Sequence, residues 1–148
     1  MRGAIAARAL ALLAWLACAA AFAAPPGEPT LPAREWTAIR KVIGDQLAAL
    51  KAGDGVKAMT YAAPGIREQF GTPDNFMRMV RDGYGALLTA RRTQFLEGAV
   101  IDEAVVQPLR LVLPDESVLV ALYQMQRQPN GQWRIAGCVI APSTVQST

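Results

Sequence analysis

The stretch ALYQMQRQPNGQWRIAGCVI, residues 121–140, is the part of the chain that decides the fold. Two runs in which apolar and polar residues alternate stand on either side of Pro-Asn-Gly at 129–131. Alternation with a period of two is typical of half-buried strands, and a short turn-forming segment between two such runs indicates a hairpin. We therefore predict two antiparallel strands joined by a tight turn.

The register of this predicted hairpin depends on its turn. If the turn pairs Gln128 with Gln132, Gly137 lies opposite Tyr123. One face of the hairpin then carries Tyr123, Met125, Trp133 and Ile135, and the other carries Leu122, Cys138 and Ile140. Because successive side chains point to opposite faces, a slip of one residue would exchange the two sets.

Strand-like sequence continues backward from the hairpin to Thr93. Short runs of β-branched and aromatic residues are separated by turn signals at Gly98, Asp102 and Pro114 and at the Pro-Asn-Gly segment. This spacing predicts about four strands.

The first half of the chain has helical periodicity instead. Apolar residues recur every three or four positions, which predicts an amphipathic helix; they are Trp36, Ile39, Ile43, Leu47 and Leu50. Gly53 ends this helix, and Asp54 caps a second, shorter helix that extends to Tyr61.

A third helix is predicted after Thr72, where a hydroxyl cap precedes Pro73 in the first turn. The residues IREQF at 66–70 are interpreted as a single helical turn between the second and third helices. Because three helices come first and the strands follow consecutively, we predict an α+β domain with the helices packed on one face of a mostly antiparallel sheet.

The N-terminus has the pattern of an export signal. Residues 1–23 combine Arg2 and Arg8 with a short alanine-rich apolar run and an A-x-A motif, which predicts a signal peptide cleaved before Ala24 and a periplasmic or secreted protein. An uncleaved membrane anchor and a lipoprotein modified at Cys18 are the alternatives. We further predict a proline-rich leader at 24–33, one domain at 34–142, and a disordered tail at 143–148.

Composition excludes several functions. Without Arg2 and Arg8 the 15 basic residues become 13 against 12 acidic ones, so the mature chain has a net charge of about +1. The sequence lacks the alternation of basic and aromatic residues that would indicate nucleic-acid binding. We expect no membrane association after signal cleavage and no cofactor. Cys138, the one cysteine outside the signal, is expected to be a small buried residue.

Catalysis is disfavoured because the chain contains no histidine, the commonest general base and zinc ligand. We assign no catalytic residue and find no metal-ligand spacing. A proton-transfer enzyme that combines tyrosine with a carboxylate, similar to an isomerase, stays open as an alternative.

The runs YAAPGIREQFGTPDNFMRMV and ALYQMQRQPNGQWRIAGCVI together resemble a bacterial family, domain of unknown function 4864. The resemblance covers roughly Trp36 to Ile140. It implies a cone-like fold similar to the nuclear transport factor two (cystatin-like) superfamily, in which three helices and a curved sheet enclose a cavity. It implies no reaction. PDESV at 114–118 departs from the Asp-Gly turn expected of the family, which affects only the geometry of that hairpin.

A cavity lined by aromatic residues is the leading functional hypothesis. The prolines and glycines of YAAPGIREQFGTP at 61–73 allow sharp turns after the second helix, and Ile66 and Phe70 are expected to point inward, as core contacts or as cavity walls. The cavity would bind a small, largely apolar molecule. Its candidate lining residues are Tyr61, Phe70, Phe76, Tyr84, Tyr123, Met125 and Trp133.

A structural module with a filled core is the other hypothesis. Val118, Val120 and Leu122 make the strand apolar on the face opposite Tyr123. An apolar sheet face needs a cover, which a second copy of the chain would supply in a homodimer.

Overall fold

The computed structural model describes residues 30–143 and contains five helices followed by a five-stranded antiparallel sheet. The helices are α1 (Ala33–Lys51), α2 (Gly55–Thr60), α3 (Pro64–Phe70), α4 (Pro73–Gly83) and α5 (Gly85–Thr89). The strands are β1 (Arg92–Phe95), β2 (Ala99–Ile101), β3 (Ala104–Val112), β4 (Val118–Arg127) and β5 (Trp133–Pro142). The α+β prediction is confirmed.

The structure has two more helices and one more strand than the sequence predicted. The single turn expected at 66–70 is the seven-residue helix α3, and α5 follows directly after α4. Between these two helices only Tyr84 leaves the helical conformation, with φ −132° and ψ 28°. The predicted signal peptide lies outside the described residues, as do most of the leader and of the tail.

The helix boundaries follow the predicted signals. Gly53, with φ 71°, ends the first helix, since Asp54 N–H donates to Ala49 O over 2.9 Å. Asp54 then accepts a hydrogen bond from Lys57 N at the start of α2. Thr72 does the same for Asn75 N at the start of α4.

The sheet has the strand order β1-β3-β4-β5, and β2 pairs with the same edge of β3 as β1. Its inner face packs on the helices in one core that includes Ile39 and Ile43 from α1, Leu109 and Leu111 from β3, and Tyr123 from β4. These five side chains are at most 1% exposed. The helices therefore cover one face of the sheet, as predicted.

The last hairpin has the predicted turn but not the predicted register throughout. Gln128 N–H donates to Gln132 O over 2.8 Å, and Tyr123, Met125, Trp133 and Ile135 are all buried. A β-bulge between Gln124 and Met125 then shifts the pairing, because Ala136 is an extra residue on β5.

The bulge overturns the assignments beyond it. Gly137 lies opposite Gln124, and Cys138 lies opposite Tyr123. The predicted register, with Gly137 opposite Tyr123, is therefore wrong. Cys138 and Ile140 consequently turn to the inner face and pack against the core instead of sharing the outer face with Leu122. Leu122 itself is 40% exposed on the outer face, as predicted.

The connection between α2 and α3 forms hydrogen bonds with the free edge of β5. Ile135 N–H donates to Tyr61 O, and Ala63 N–H donates to Ile135 O, each over 2.8 Å. This short parallel bridge pairs Ala62 with Ile135, and Ala63 is extended, with φ −64° and ψ 157°. The helical half must therefore break here, and Pro64 begins α3 immediately afterward.

The hairpin between β3 and β4 closes with a turn at 113–117. Glu116 N–H donates to Leu113 O, and Leu113 N–H donates to Ser117 O. The side chain of Asp115 accepts from both the amide and the hydroxyl of Ser117, at 3.0 and 2.6 Å. An aspartate turn thus replaces the expected Asp-Gly turn.

Candidate functional site

A cavity of about 460 Å³ is lined by residues from α1, α3, α4, α5, β4 and β5. Its buried end is formed by Leu50, Val80, Tyr123 and Ile135. Toward solvent, α3 contributes residues that are half-buried or exposed, Gln69 among them. The cavity therefore lies between the helices and the inner face of the sheet, with its opening beside α3.

Four of the seven candidate lining residues are brought together here: Phe70, Phe76, Tyr84 and Tyr123. Phe70 and Phe76 meet edge to face, with ring centroids 5.9 Å apart. This contact joins the end of α3 to the first turns of α4. Phe70 is half-buried, so it forms part of the cavity wall near the opening and is not a fully buried core residue.

The other three candidates do not line this cavity. Met125 and Trp133 share the inner face with Tyr123 but lie nearer the turn, where they pack into the core. The Trp133 indole N–H donates to Glu35 Oε2 at 2.8 Å, so the first turn of α1 covers this end of the hairpin. Tyr61 is half-buried at the end of α2, and its backbone bonds to β5.

Several lining residues were not among the candidates. The spacing of Gln46 could have indicated its inward position, because it follows Ile43 by three residues on the apolar face of α1. It is 4% exposed, and its side-chain amide donates to Ala58 O over 3.2 Å. Cys138 had no such signal, since only the bulge turns it inward.

The two phenols in the cavity differ in their hydrogen bonds. The Tyr84 hydroxyl donates to the backbone oxygen of Cys138 over 2.9 Å. The Tyr123 hydroxyl is buried and has no hydrogen-bond partner among residues 30–143. Buried polar groups are nearly always paired, because leaving one unpaired costs about 1 to 3 kcal/mol.

The Cys138 thiol and the Tyr123 hydroxyl of the cavity are both neutral at physiological pH. Burial raises the pKa of the Cys138 thiol to about 12. Burial, and secondarily the neighbouring Cys138, raise the pKa of the Tyr123 hydroxyl well above its ordinary value. The thiol is therefore a weak nucleophile here, and the phenol keeps its proton.

None of the described residues that line the cavity is charged. The proton-transfer alternative requires a carboxylate beside the phenols, and this lining does not provide one. Within residues 30–143 no group of three or more cysteine, aspartate or glutamate side chains is placed to hold a metal ion. The same part of the chain contains no helix long and apolar enough to cross a membrane.

Comparison with known proteins gives a family but no activity. No curated protein matches the chain. The model of a family described as a domain of unknown function (DUF4864) matches residues 33–148, a range that includes every helix and strand described above. The chain therefore belongs to the DUF4864 family.

Proposed function

We propose that this protein binds a small, neutral, largely apolar molecule in the cavity between its helices and its sheet. The observation that carries the proposal is the lining: aromatic and aliphatic side chains with a few neutral polar groups and no charged residue among those described. A volume of about 460 Å³ is within the usual range of small-molecule sites.

The position of the opening supports access for such a molecule. Every helix except α3 has at least one buried residue, whereas α3 contributes half-buried Ile66 and Phe70. A ligand can therefore pass beside α3 without disrupting the main core.

A blocking substitution tests the proposal. Ile66→Trp places an indole at the opening, so we expect it to weaken binding of the neutral fluorophore N-phenyl-1-naphthylamine at least tenfold. Val56→Trp is the matched control, because Val56 is 68% exposed on α2 and does not line the cavity. Fluorescence titration measures both affinities.

Failure to bind the fluorophore, or equal binding by both variants, would contradict the proposal. Native mass spectrometry of gently purified protein gives an independent check, since a retained molecule would appear as added mass. Repeated spectra of the bare chain would count against a bound natural ligand.

We extend the proposal to overall shape and location. The curved-sheet cone of the nuclear transport factor two superfamily is supported by the order of helices and antiparallel strands and by the bulge, a device that bends sheets. The sequence of residues 1–23 supports export and cleavage before Ala24. N-terminal sequencing of protein from its native cell checks the cleavage site, and an intact Met1 would contradict it.

Homodimerisation through the outer sheet face is a second candidate function. Among the described residues, the large apolar side chains that are clearly exposed are Val56, Ile101, Leu122 and Val139. Leu122 and Val139 lie directly opposite each other on β4 and β5. Such a cross-strand pair forms a continuous apolar patch that a second copy of the chain would cover.

A further inference from the structure

The Tyr123 hydroxyl is a buried polar group to which the described residues offer no hydrogen-bond partner. The Tyr123 side chain is 1% exposed, and its oxygen has no partner among residues 30–143. Phenylalanine would fill nearly the same space without the cost of an unpaired buried hydroxyl. An unsatisfied buried group of this kind requires an explanation, and the Tyr123 side chain lines the cavity.

We infer that Tyr123 is the polar anchor of the cavity and that the ligand is a neutral molecule with one oxygen, such as a ketone or ether, that accepts its hydrogen bond. This inference rests on the proposed binding function and narrows its ligand class. The hydroxyl is closed to solvent, so a ligand atom reaches it when the lining side chains around it move slightly apart.

The ligand must be neutral because of what surrounds Tyr123. Among the described residues, the polar side chains of the lining are Gln46, Gln69, Tyr84, Tyr123 and Cys138, and none is a lysine or an arginine. A carboxylate or phosphate buried here would lose its hydration without gaining a cation, which is strongly unfavourable. An uncharged oxygen loses much less hydration, and the phenol replaces it with a new hydrogen bond.

Tyr84 lines the same cavity and provides a matched control. Its hydroxyl already donates to the backbone oxygen of Cys138, so it has a structural role. Tyr84→Phe and Tyr123→Phe therefore remove the same atom from the same cavity. Only the second should remove an interaction with a ligand.

The test compares 1-tetralone with tetralin, which share a ring skeleton but differ in the carbonyl oxygen. We expect Tyr123→Phe to weaken tetralone binding roughly three- to tenfold, the effect of one lost hydrogen bond, and to leave tetralin binding unchanged. Tyr84→Phe should change the two affinities by the same factor. Titrations followed by protein NMR give all six dissociation constants.

A second readout does not depend on any ligand. Removing an unpaired buried hydroxyl should raise the melting temperature of Tyr123→Phe by about 2 to 5 °C, whereas Tyr84→Phe should lower it by a similar amount. A melting temperature that falls in both variants would show that the Tyr123 hydroxyl has a structural partner, and would overturn the inference.

The two proposals fail in different ways. If neither ring compound nor the fluorophore binds the parent protein, the binding function itself is refuted. If both ring compounds bind and Tyr123→Phe weakens them equally or not at all, the cavity binds ligands but Tyr123 is not their anchor.

Discussion

Glu35 and Trp133 connect the beginning of the described chain to its last strand. The indole N–H donates to a carboxylate whose side chain is only 12% exposed, and Arg127 lies 3.7 Å from the same carboxylate. The Arg127 guanidinium also stands 5.9 Å from the centroid of the Trp133 ring. The start of α1 is thereby fixed to the hairpin of β4 and β5.

This contact makes stability depend on pH in a defined direction. The hydrogen bond from Trp133, with further help from Arg127 and Arg34, lowers the pKa of Glu35 below its ordinary value of 4.5. A lowered pKa means that folding favours the ionised form. The stabilisation is therefore fully present above pH 4.5 and is lost as the pH falls through the lower pKa of the folded protein.

We expect Glu35→Gln to be less stable than the parent at pH 7 and the difference to shrink as the pH falls below about 4.5. The amide keeps a hydrogen-bond acceptor for Trp133 but cannot ionise. Urea unfolding at several pH values measures the difference. Asp115, whose pKa Ser117 also lowers, is present in both proteins and cancels in the comparison. A difference that is constant with pH would contradict the prediction.

The buried role of Gln107 could not be predicted from the sequence. It is fully buried on β3, and its amide donates to Leu96 O and Pro108 O over 2.7 and 2.9 Å. Its oxygen accepts from Arg40 Nε on α1 over 3.3 Å. A glutamine inside an alternating strand is ordinarily expected on the solvent side, and only the distant partners bring it into the core.

At the scale of elements, local signals predicted the caps and turns well. Asp54, Thr72 and the pairing of Gln128 with Gln132 all act over a few residues, so the sequence near them contains the necessary information. The bulge at Ala136 cannot be predicted from nearby residues, because it depends on how two whole strands fit each other. Phe70, Phe76, Tyr84 and Tyr123 accordingly meet in the cavity lining, whereas Cys138, which only the bulge turns inward, was not among the candidates.

Among the described helices, α3 has the weakest attachment to the core. It has no buried residue, and it is held mainly by Ile66 and by the contact of Phe70 with Phe76. Local unfolding costs least where few apolar groups are buried. Its neighbour α4 buries Phe76, Met77 and Val80 and provides an internal comparison of similar chemistry.

We expect the backbone amides of α3 to exchange with deuterium at least tenfold faster than those in the middle of α4. Hydrogen exchange followed by mass spectrometry or NMR measures both helices in one sample. Equal protection would show that α3 opens only when the whole domain unfolds, and would count against passage of a ligand beside it.

At the scale of the whole molecule, the outer face of the sheet exposes apolar side chains. Leu122 and Val139 are 40% and 63% exposed, and the helices all pack on the opposite face. A homodimer would bury this patch, and its stability would then depend on protein concentration.

If the dimer forms, Val139→Lys should shift sedimentation toward monomer by at least tenfold in dissociation constant, because a lysine would be buried in an apolar contact. Val56→Lys introduces the same charge at a site that is 68% exposed on α2 and should have no effect. A parent protein that stays monomeric at high concentration, or two variants that behave alike, would exclude this interface.

The single extra residue Ala136 also decides where the one thiol of residues 30–143 stands. With continuous pairing, the glycine would lie beside Tyr123 and the sulfur would project from the sheet, within reach of oxidants and of an identical thiol on another molecule. The insertion instead seats the sulfur beside the phenol, where it resists oxidation and crosslinking. A register that paired Ala136 with Gln124 would thus turn a chemically inert interior group into a site for covalent pairing.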